Sequence, residues 1–157
     1  MGYRTIMLMG DELFLEDFHV GDRFYSGEEI LITAEEIIGF AEQYDPQPGH
    51  LSEELAQSTP FAGLSASGWQ TACITMKLMA DLGFIGAIGA EVTITWPTPT
   101  RPGDRLHVDA HVASVRDSRT KPDRGVVVLE YDTVNQDAEI RQHTKTTVIA
   151  WRRGAVK

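Results

Sequence analysis

The stretch that decides the fold is Gly68-Trp-Gln-Thr-Ala-Cys-Ile-Thr-Met-Lys-Leu-Met-Ala-Asp-Leu82, with the glycine-rich breaker Gly83-Phe-Ile-Gly-Ala-Ile-Gly-Ala90 behind it. Lys77 and Asp81 are its only charges. A helix that is apolar on most sides is expected to be buried on most sides. Four alternating segments follow the breaker: Val92, Ile94 and Trp96; Leu106, Val108, Ala110 and Val112; Val127, Leu129, Tyr131 and Thr133; and a closing run from about Glu139 to Trp151. The separators, Pro97 to Asp104, Lys121 to Gly125 and Asn135 to Asp137, carry turn residues, so the spacing predicts successive antiparallel hairpins. One apolar helix and four long strands predict an α+β fold in which a curved antiparallel sheet wraps a central helix.

Upstream the chain reads as helical and loop-rich. Phe24 to Ile32 is a possible first strand after the turn at Gly21-Asp22. Thr33-Ala-Glu-Glu36 has the form of a capping box, in which the hydroxyl and the glutamate satisfy two orphan amides. Ile37, Ile38, Ala41 and Tyr44 follow at helical spacing, and Pro46 stops the helix near Tyr44. Ser52 suits the cap of a second short helix with Leu55 and Ala56 facing in. Val20-Gly-Asp-Arg-Phe24 and Pro102-Gly-Asp-Arg-Leu106 echo each other, each marking a turn into a strand.

The chain has 157 residues, 42% of them hydrophobic, which suits one domain over residues 1–157 with its core at about 14–153 and excludes disorder. Fourteen Lys and Arg against 23 Asp and Glu give a net charge of -9, and an acidic chain repels phosphate backbones, so nucleic acid is not an expected partner. The N-terminal apolar run Ile6 to Met9 is too short for a signal core, and no segment approaches a bilayer's thickness. With Cys73 alone, no disulfide framework or cysteine zinc site forms within one chain. A cytoplasmic, reducing setting is therefore expected.

Tyr44-Asp-Pro-Gln-Pro-Gly-His50 is the densest chemical candidate. Two prolines stiffen the loop and bias Asp45 and Gln47 toward extended backbone. An Asp and a His five residues apart on such a loop can share a pocket, the carboxylate taking a proton from water while the imidazole orients it, with burial raising the Asp pKa. The plainer reading leaves Asp45 as a helix cap and His50 on the surface. The second candidate is Gly63-Leu-Ser-Ala-Ser-Gly68. Gly68 at the start of a buried helix presents free N–H groups and a positive dipole end, suited to an oxyanion such as that of a thioester carbonyl. Ser65 or Ser67 as a helix cap is compatible with that role.

Other patterns carry less. Gly63-Leu-Ser-Ala-Ser67 lacks the last glycine of a nucleophile elbow. His107 and His111 lie about 13 Å apart along one strand face, too far for one metal ion, so no metal site is expected. Cys73 reads as a small core residue, and Trp69, Trp96 and Trp151 as core or interface packing. Gly83 to Gly89 reads as a turn. Arg101, Arg105, Arg116, Arg119, Lys121, Arg124, Arg152 and Arg153 form a scattered rim that suits an anionic carrier such as coenzyme A.

Phe40 to His50, Ser58-Thr-Pro-Phe61 and Gly63 to Trp69 together resemble the MaoC-like dehydratase family, the (R)-specific enoyl-CoA hydratases of the hotdog fold. The family pattern of Asp, any residue, Asn or Gln, Pro, any residue, His is matched at Asp45, Gln47, Pro48 and His50. Trp96 to Leu106, Val126 to Asp137 and the closing strand extend the likeness over about Phe14 to Arg153. The resemblance implies a hydro-lyase: Asp45 and His50 activate water for the β-carbon of a 2-enoyl thioester or receive it in dehydration, Gly68 binds the thioester oxygen, and Gln47 and Pro48 position the loop. It also implies acyl-CoA or acyl-carrier substrates, with coenzyme A as part of the substrate and no separate cofactor, and a homodimer with sheets joined edge to edge. Three positions depart from the family: Gly49 replaces a bulky apolar residue, Ser67 replaces a histidine, and Met76 stands at or near a serine that supports the Asp, with Thr75 the nearest hydroxyl. Hotdog acyl-CoA thioesterases and non-catalytic acyl-binding subunits are the alternatives. An overall charge of -9 opposes any such anion, so local arginines and helix-end amides have to draw it in.

Overall fold

The three-dimensional structure is a computed structural model and describes residues 5–6, 13–80, 82 and 87–155. Its strands are β1 (Thr5–Ile6), β2 (Arg23–Tyr25), β3 (Ile30–Leu31), β4 (Ala87–Thr95), β5 (Arg105–Asp117), β6 (Arg124–Val134) and β7 (Ile140–Trp151). Its α-helices are α1 (Ala34–Tyr44), α2 (Pro48–Leu51), α3 (Glu53–Gln57) and α4 (Gly68–Ala80). The strands form one sheet in the order β1-β2-β5-β6-β7-β4, with β3 also paired to β5. All pairings are antiparallel except β1 with β2. Bulges between Val112 and Ser114, Thr133 and Val134, and Gly89 and Glu91 interrupt the ladders, as a sheet that curls around a helix requires. This is the hotdog fold.

Period-two patterning produces β5 and β6 as read, whereas Val92 and Trp96 of the first alternating segment are exposed. Leu106, Val108, Ala110 and Val112 of β5 and Val127, Leu129 and Tyr131 of β6 face inward and are buried. With Leu15, Phe18, Phe24, Leu78 and Met79 they form the main core. The capping box holds as expected: Thr33 Oγ1 accepts from Glu36 N at 3.2 Å, and Thr33 N donates to the Glu36 carboxylate at 2.9 Å. The two Gly-Asp-Arg turns share one construction. Gly21 and Gly103 have φ of +90° and +91°, and Asp22 and Asp104 each accept the amide three residues back. Glycine is required at both because a side chain is strained in that region.

Several expectations change. The possible strand Phe24 to Ile32 is two short pieces, β2 and β3. The glycine-rich stretch is not a turn throughout, because β4 already begins at Ala87; residues 83–86 lie outside the described set. Segment 97–104 is not a hairpin turn. β4 pairs with β7 at the far edge, so this connection crosses β7 and β6 before β5 begins. Ser52 does cap α3, its Oγ accepting from Leu55 N, yet Leu55 is exposed and Ala56 alone of the pair is buried.

The largest correction concerns α4. Gln70, Thr71, Thr75, Leu78 and Met79 are buried, whereas Trp69, Cys73 and Met76 are exposed. One sheet covers one side of a helix, and the apolar outer side has no cover among the described residues. Cys73 is therefore not a core residue.

Candidate active site

Asp45 sits where α1 ends. Its N–H still donates to Ala41 O at 2.9 Å, and Pro46 prevents a further turn. Pro48 occupies the first turn of α2, where its missing N–H costs nothing. That single turn swings His50 inward, where it is 4% exposed, so the surface reading of this histidine fails.

His50 Nδ1 lies 2.7 Å from Ser65 O. A carbonyl only accepts, so Nδ1 carries the hydrogen and Nε2 of the neutral ring is left as an acceptor. Nε2 faces Asp45 Oδ2 at 3.7 Å. Asp45 is held on both oxygens: Gln47 Nε2 donates to Oδ1 at 2.6 Å, and Ser67 Oγ donates to Oδ2 at 2.6 Å. The Ser67 hydroxyl, more than any other group, holds the Asp45 carboxyl below the usual carboxylate range. Burial pushes the other way, and Gln47 adds to the lowering, as does the neighbouring His50 when its ring carries charge. The expected rise in the Asp45 pKa is thus reversed, because hydrogen bonds to the ionised form outweigh desolvation.

Ser67 does two jobs. Besides holding Asp45, its Oγ accepts from Trp69 N at 3.2 Å, which makes it the cap of α4. The N–H of Gly68, first residue of α4, has no partner among the described residues. It borders a cavity of about 390 Å³ that also contains Asp45, Gln47, His50, Ser67 and Thr100. The structure therefore brings together the loop and the helix end that the sequence singled out separately. Glycine at 68 follows from close approach, since a Cβ there would stand 2.7 Å from the Trp96 indole.

The departures from the family pattern acquire physical content here. At Gly49, a Cβ would meet the Phe61 ring at 2.6 Å, so Phe61 fills that space and packs on His50 with ring centroids 5.4 Å apart. Ser67, not Thr75, supplies the hydroxyl on Asp45. Thr75 Oγ1 donates to Thr71 O and lies 2.6 Å from Thr133 Oγ1, away from the carboxylate.

Three residues in and around this cavity leave no functional mark in the sequence. Trp69 and Trp96, read as packing, border it and meet edge to face at 5.7 Å. Arg101, read as a rim cation, donates to the carbonyls of Phe61, Gly63 and Leu64 at 2.5, 2.7 and 3.1 Å. It thereby fixes a segment in which Ala62 and Gly63 both have positive φ and which leads directly to Ser65, Ser67 and Gly68. The one local hint was glycine at 63, whose φ of +142° favours that residue. Other rim arginines are also engaged within the chain: Arg124 with Asp123, Arg152 with Glu16 and Asp117, and Arg153 with Asp17.

His107 and His111 sit on the partly exposed side of β5 as expected, facing Glu29 at 3.9 Å and Glu130 at 3.5 Å. Among the described residues no group of three His, Cys, Asp or Glu is placed to hold a metal ion. No helix there is long and apolar enough to cross a membrane.

Comparison with known proteins bears on the same residues. The family model for the MaoC like domain matches residues 17–135, which include the loop at 45–50, the start of α4 and the crossing segment. The crystal structure of a MaoC-like dehydratase from Rhodospirillum rubrum superposes with a TM-score of 0.86 at 47% identity, over 90% of this chain and 98% of that one. A 3-hydroxybutyryl-CoA dehydratase of Methylorubrum extorquens is 33% identical over 81% of each chain. YdeM, an uncharacterised protein of Bacillus subtilis, is 32% identical over 78% of this chain and 87% of its own length. With three quarters of the sequence inside the matched domain and the fold shared over nearly its whole length, the chain belongs to the MaoC-like dehydratase family.

Proposed function

We propose that this protein adds water to 2-enoyl thioesters and removes it from 3-hydroxyacyl thioesters, with Asp45 and His50 as the catalytic pair and Gly68 N–H as the oxyanion donor. One observation carries the reading. Asp45 Oδ2 and His50 Nε2 face each other at 3.7 Å and both are acceptors, so they do not satisfy one another. A group that donates two hydrogens from one atom suits them, and water is that group. Asp45, held ionised by Ser67 and Gln47, takes one proton as the water oxygen bonds to the β-carbon, while His50 Nε2 accepts a hydrogen bond from the O–H that stays on that oxygen and fixes its direction. The electron pair displaced from the double bond moves onto the thioester oxygen beside Gly68 N–H, at the positive end of α4. The Asp45 carboxyl then returns its proton to the α-carbon. Dehydration runs the same steps in reverse. The net change is the addition of water, so the reading calls for no metal, redox group or other separate cofactor.

The (R) product, coenzyme A as the carrier and a homodimer belong to the same proposal. The outer side of α4, with Trp69, Cys73 and Met76 exposed, and the edge strand β4, with Val92 exposed beside it, supply an apolar face and an unpaired ladder of the kind a second copy covers. Light scattering on the purified protein checks the dimer.

The activity test uses crotonyl-CoA. Loss of enone absorbance without free thiol is the expected result, and chiral analysis of the product assigns its hand. Release of free thiol instead identifies a thioesterase. Activity unchanged in both Asp45→Asn and His50→Ala removes the catalytic reading of this site.

A further inference from the structure

We infer that the hydrogen-bonded pair Trp96–Gln142 closes the acyl compartment and confines this protein to short acyl thioesters, an inference that rests on the hydratase reading above. Trp96 lines the candidate active-site cavity with its indole against the start of α4, and is 41% exposed within one copy of the chain. Its Nε1 donates to Gln142 Oε1 at 2.8 Å. Gln142 is 1% exposed, and its Nε2 donates to Thr144 Oγ1 at 2.9 Å. Turning the amide over would set donor against donor at the indole, so buried hydrogen bonding fixes the ring from behind.

A second cavity of about 370 Å³, bordered by Ala72 and Met76 of α4, Val92 and Ile94 of β4, and Gln142, lies beyond this pair on the exposed side of α4 and β4 that the proposed second copy covers. Gly68, Ala72 and Met76 recur every four residues and so form one stripe of the helix. The second cavity therefore continues from the first along α4, displaced by about 6 Å for each four residues. Trp96 borders the first space and Gln142 the second, which places their hydrogen bond on the wall between them.

A bound thioester has two arms. The coenzyme arm has to reach solvent, and the acyl arm is the one retained inside. With its oxygen at Gly68 N–H, an acyl chain extending along α4 meets the indole before it reaches the second cavity. A crotonyl group ends before that wall. An octenoyl group fits only if Trp96 gives way, which strands its N–H or the Gln142 carbonyl.

Hydration of crotonyl-, hexenoyl- and octenoyl-CoA is measured for the wild type, Trp96→Ala and Gln142→Ala. The wild type is expected to favour crotonyl-CoA over octenoyl-CoA by about tenfold or more in kcat/KM. In Trp96→Ala the octenoyl-to-crotonyl ratio rises by about tenfold or more even if total activity falls, and in Gln142→Ala it rises by less, because the indole is freed but not removed. A wild type that hydrates octenoyl-CoA as well as crotonyl-CoA overturns the partition, as does a Trp96→Ala ratio that stays at the wild-type value. Either result leaves the hydratase reading standing. A wild type that hydrates no chain length removes the reading beneath it.

Discussion

The two halves of α4 bury opposite chemistry. Leu78 and Met79, in its last turns, pack into an apolar core with Phe18, Phe24, Val108 and Leu129. Gln70, Thr71 and Thr75, in its first turns, are as deeply buried but bond to polar groups: Thr71 Oγ1 lies 2.9 Å from Thr100 Oγ1, and Gln70 Nε2 donates to Glu36 O at 2.9 Å. The apolar end supplies stability through area removed from water, which is non-directional and tolerates small shifts. The polar end supplies direction. The Thr71 and Thr75 hydroxyls and the Gln70 Nε2 are paired, whereas Gln70 Oε1 is buried without a partner among the described residues. The bonds that are made fix where the helix start, and with it Gly68, can sit. One helix thus separates what anchors the fold from what aims the site.

The largest expected difference between the ends is in activity. Asp45→Asn keeps the shape of the side chain but removes the proposed base, and hydration of crotonyl-CoA is expected to fall by about 10²- to 10⁴-fold with little change in melting temperature. A variant that loses activity only because it melts near the assay temperature would break the comparison. Next comes the buried ion pair beneath the crossing segment. Burial pushes the Asp104 carboxyl up, but Arg141, the Arg101 amide and Asn135 all donate to it and hold it below the usual carboxylate range. Arg141→Met strands that carboxylate and is expected to cost about 3–5 kcal/mol in denaturant unfolding. The sign of the pH dependence follows from the lowered pKa. The wild type keeps the stabilisation above the ordinary carboxylate pKa and loses it as pH falls through the depressed one, so Arg141→Met is closer to wild type in acid than at neutral pH. Leu78→Ala at the apolar end is expected to cost about 2–5 kcal/mol, leaving kcat on crotonyl-CoA near the wild-type value well below the melting temperature. Comparable loss of kcat from Leu78→Ala would mean that the two ends are not separable.

Local rules made the apolar end legible and left the polar end largely hidden. Alternation over 106–112 and 127–133 gave β5 and β6, and Thr33, Glu36 and Pro46 bracketed α1 to the residue, because caps and breakers act within four positions. The place of β4 was not legible. Nothing between Thr95 and Arg105 distinguishes a hairpin from a crossing, since that choice is made by what β7 offers across the sheet. Outward exposure of Cys73 and Met76 was not legible, because apolar content reports a need for cover without saying which chain provides it. The loop from Asp45 to His50 was readable as chemistry, but its protonation was not. That depends on Ser67, 22 positions away, and on Ser65, 15 positions from His50. Arg101 was unreadable for the same reason: its three carbonyl partners are about forty residues distant in sequence and leave no trace in its neighbours.

Ser67 joins the two properties the halves otherwise keep apart, and its removal is the smallest and most informative perturbation. As a cap it satisfies Trp69 N–H, and Ser67→Ala is expected to cost about 1 kcal/mol of stability. As a donor to Asp45 Oδ2 it is the main cause of that group's lowered pKa. Its loss raises the carboxyl toward the ordinary range, because the ionised form loses a hydrogen bond that the protonated form does not need. If Asp45 acts as the base in its ionised form, hydration is lost as pH falls through its pKa, so the acid limb of kcat/KM in Ser67→Ala moves to higher pH. Ser67→Thr keeps the hydroxyl and is expected to return the limb toward its wild-type position. A cap without electrostatic influence on Asp45 would lower the melting temperature and leave the acid limb where it was. The two readouts divide the roles of a single oxygen: unfolding reports what it does for α4, and the pH profile reports what it does for the carboxylate.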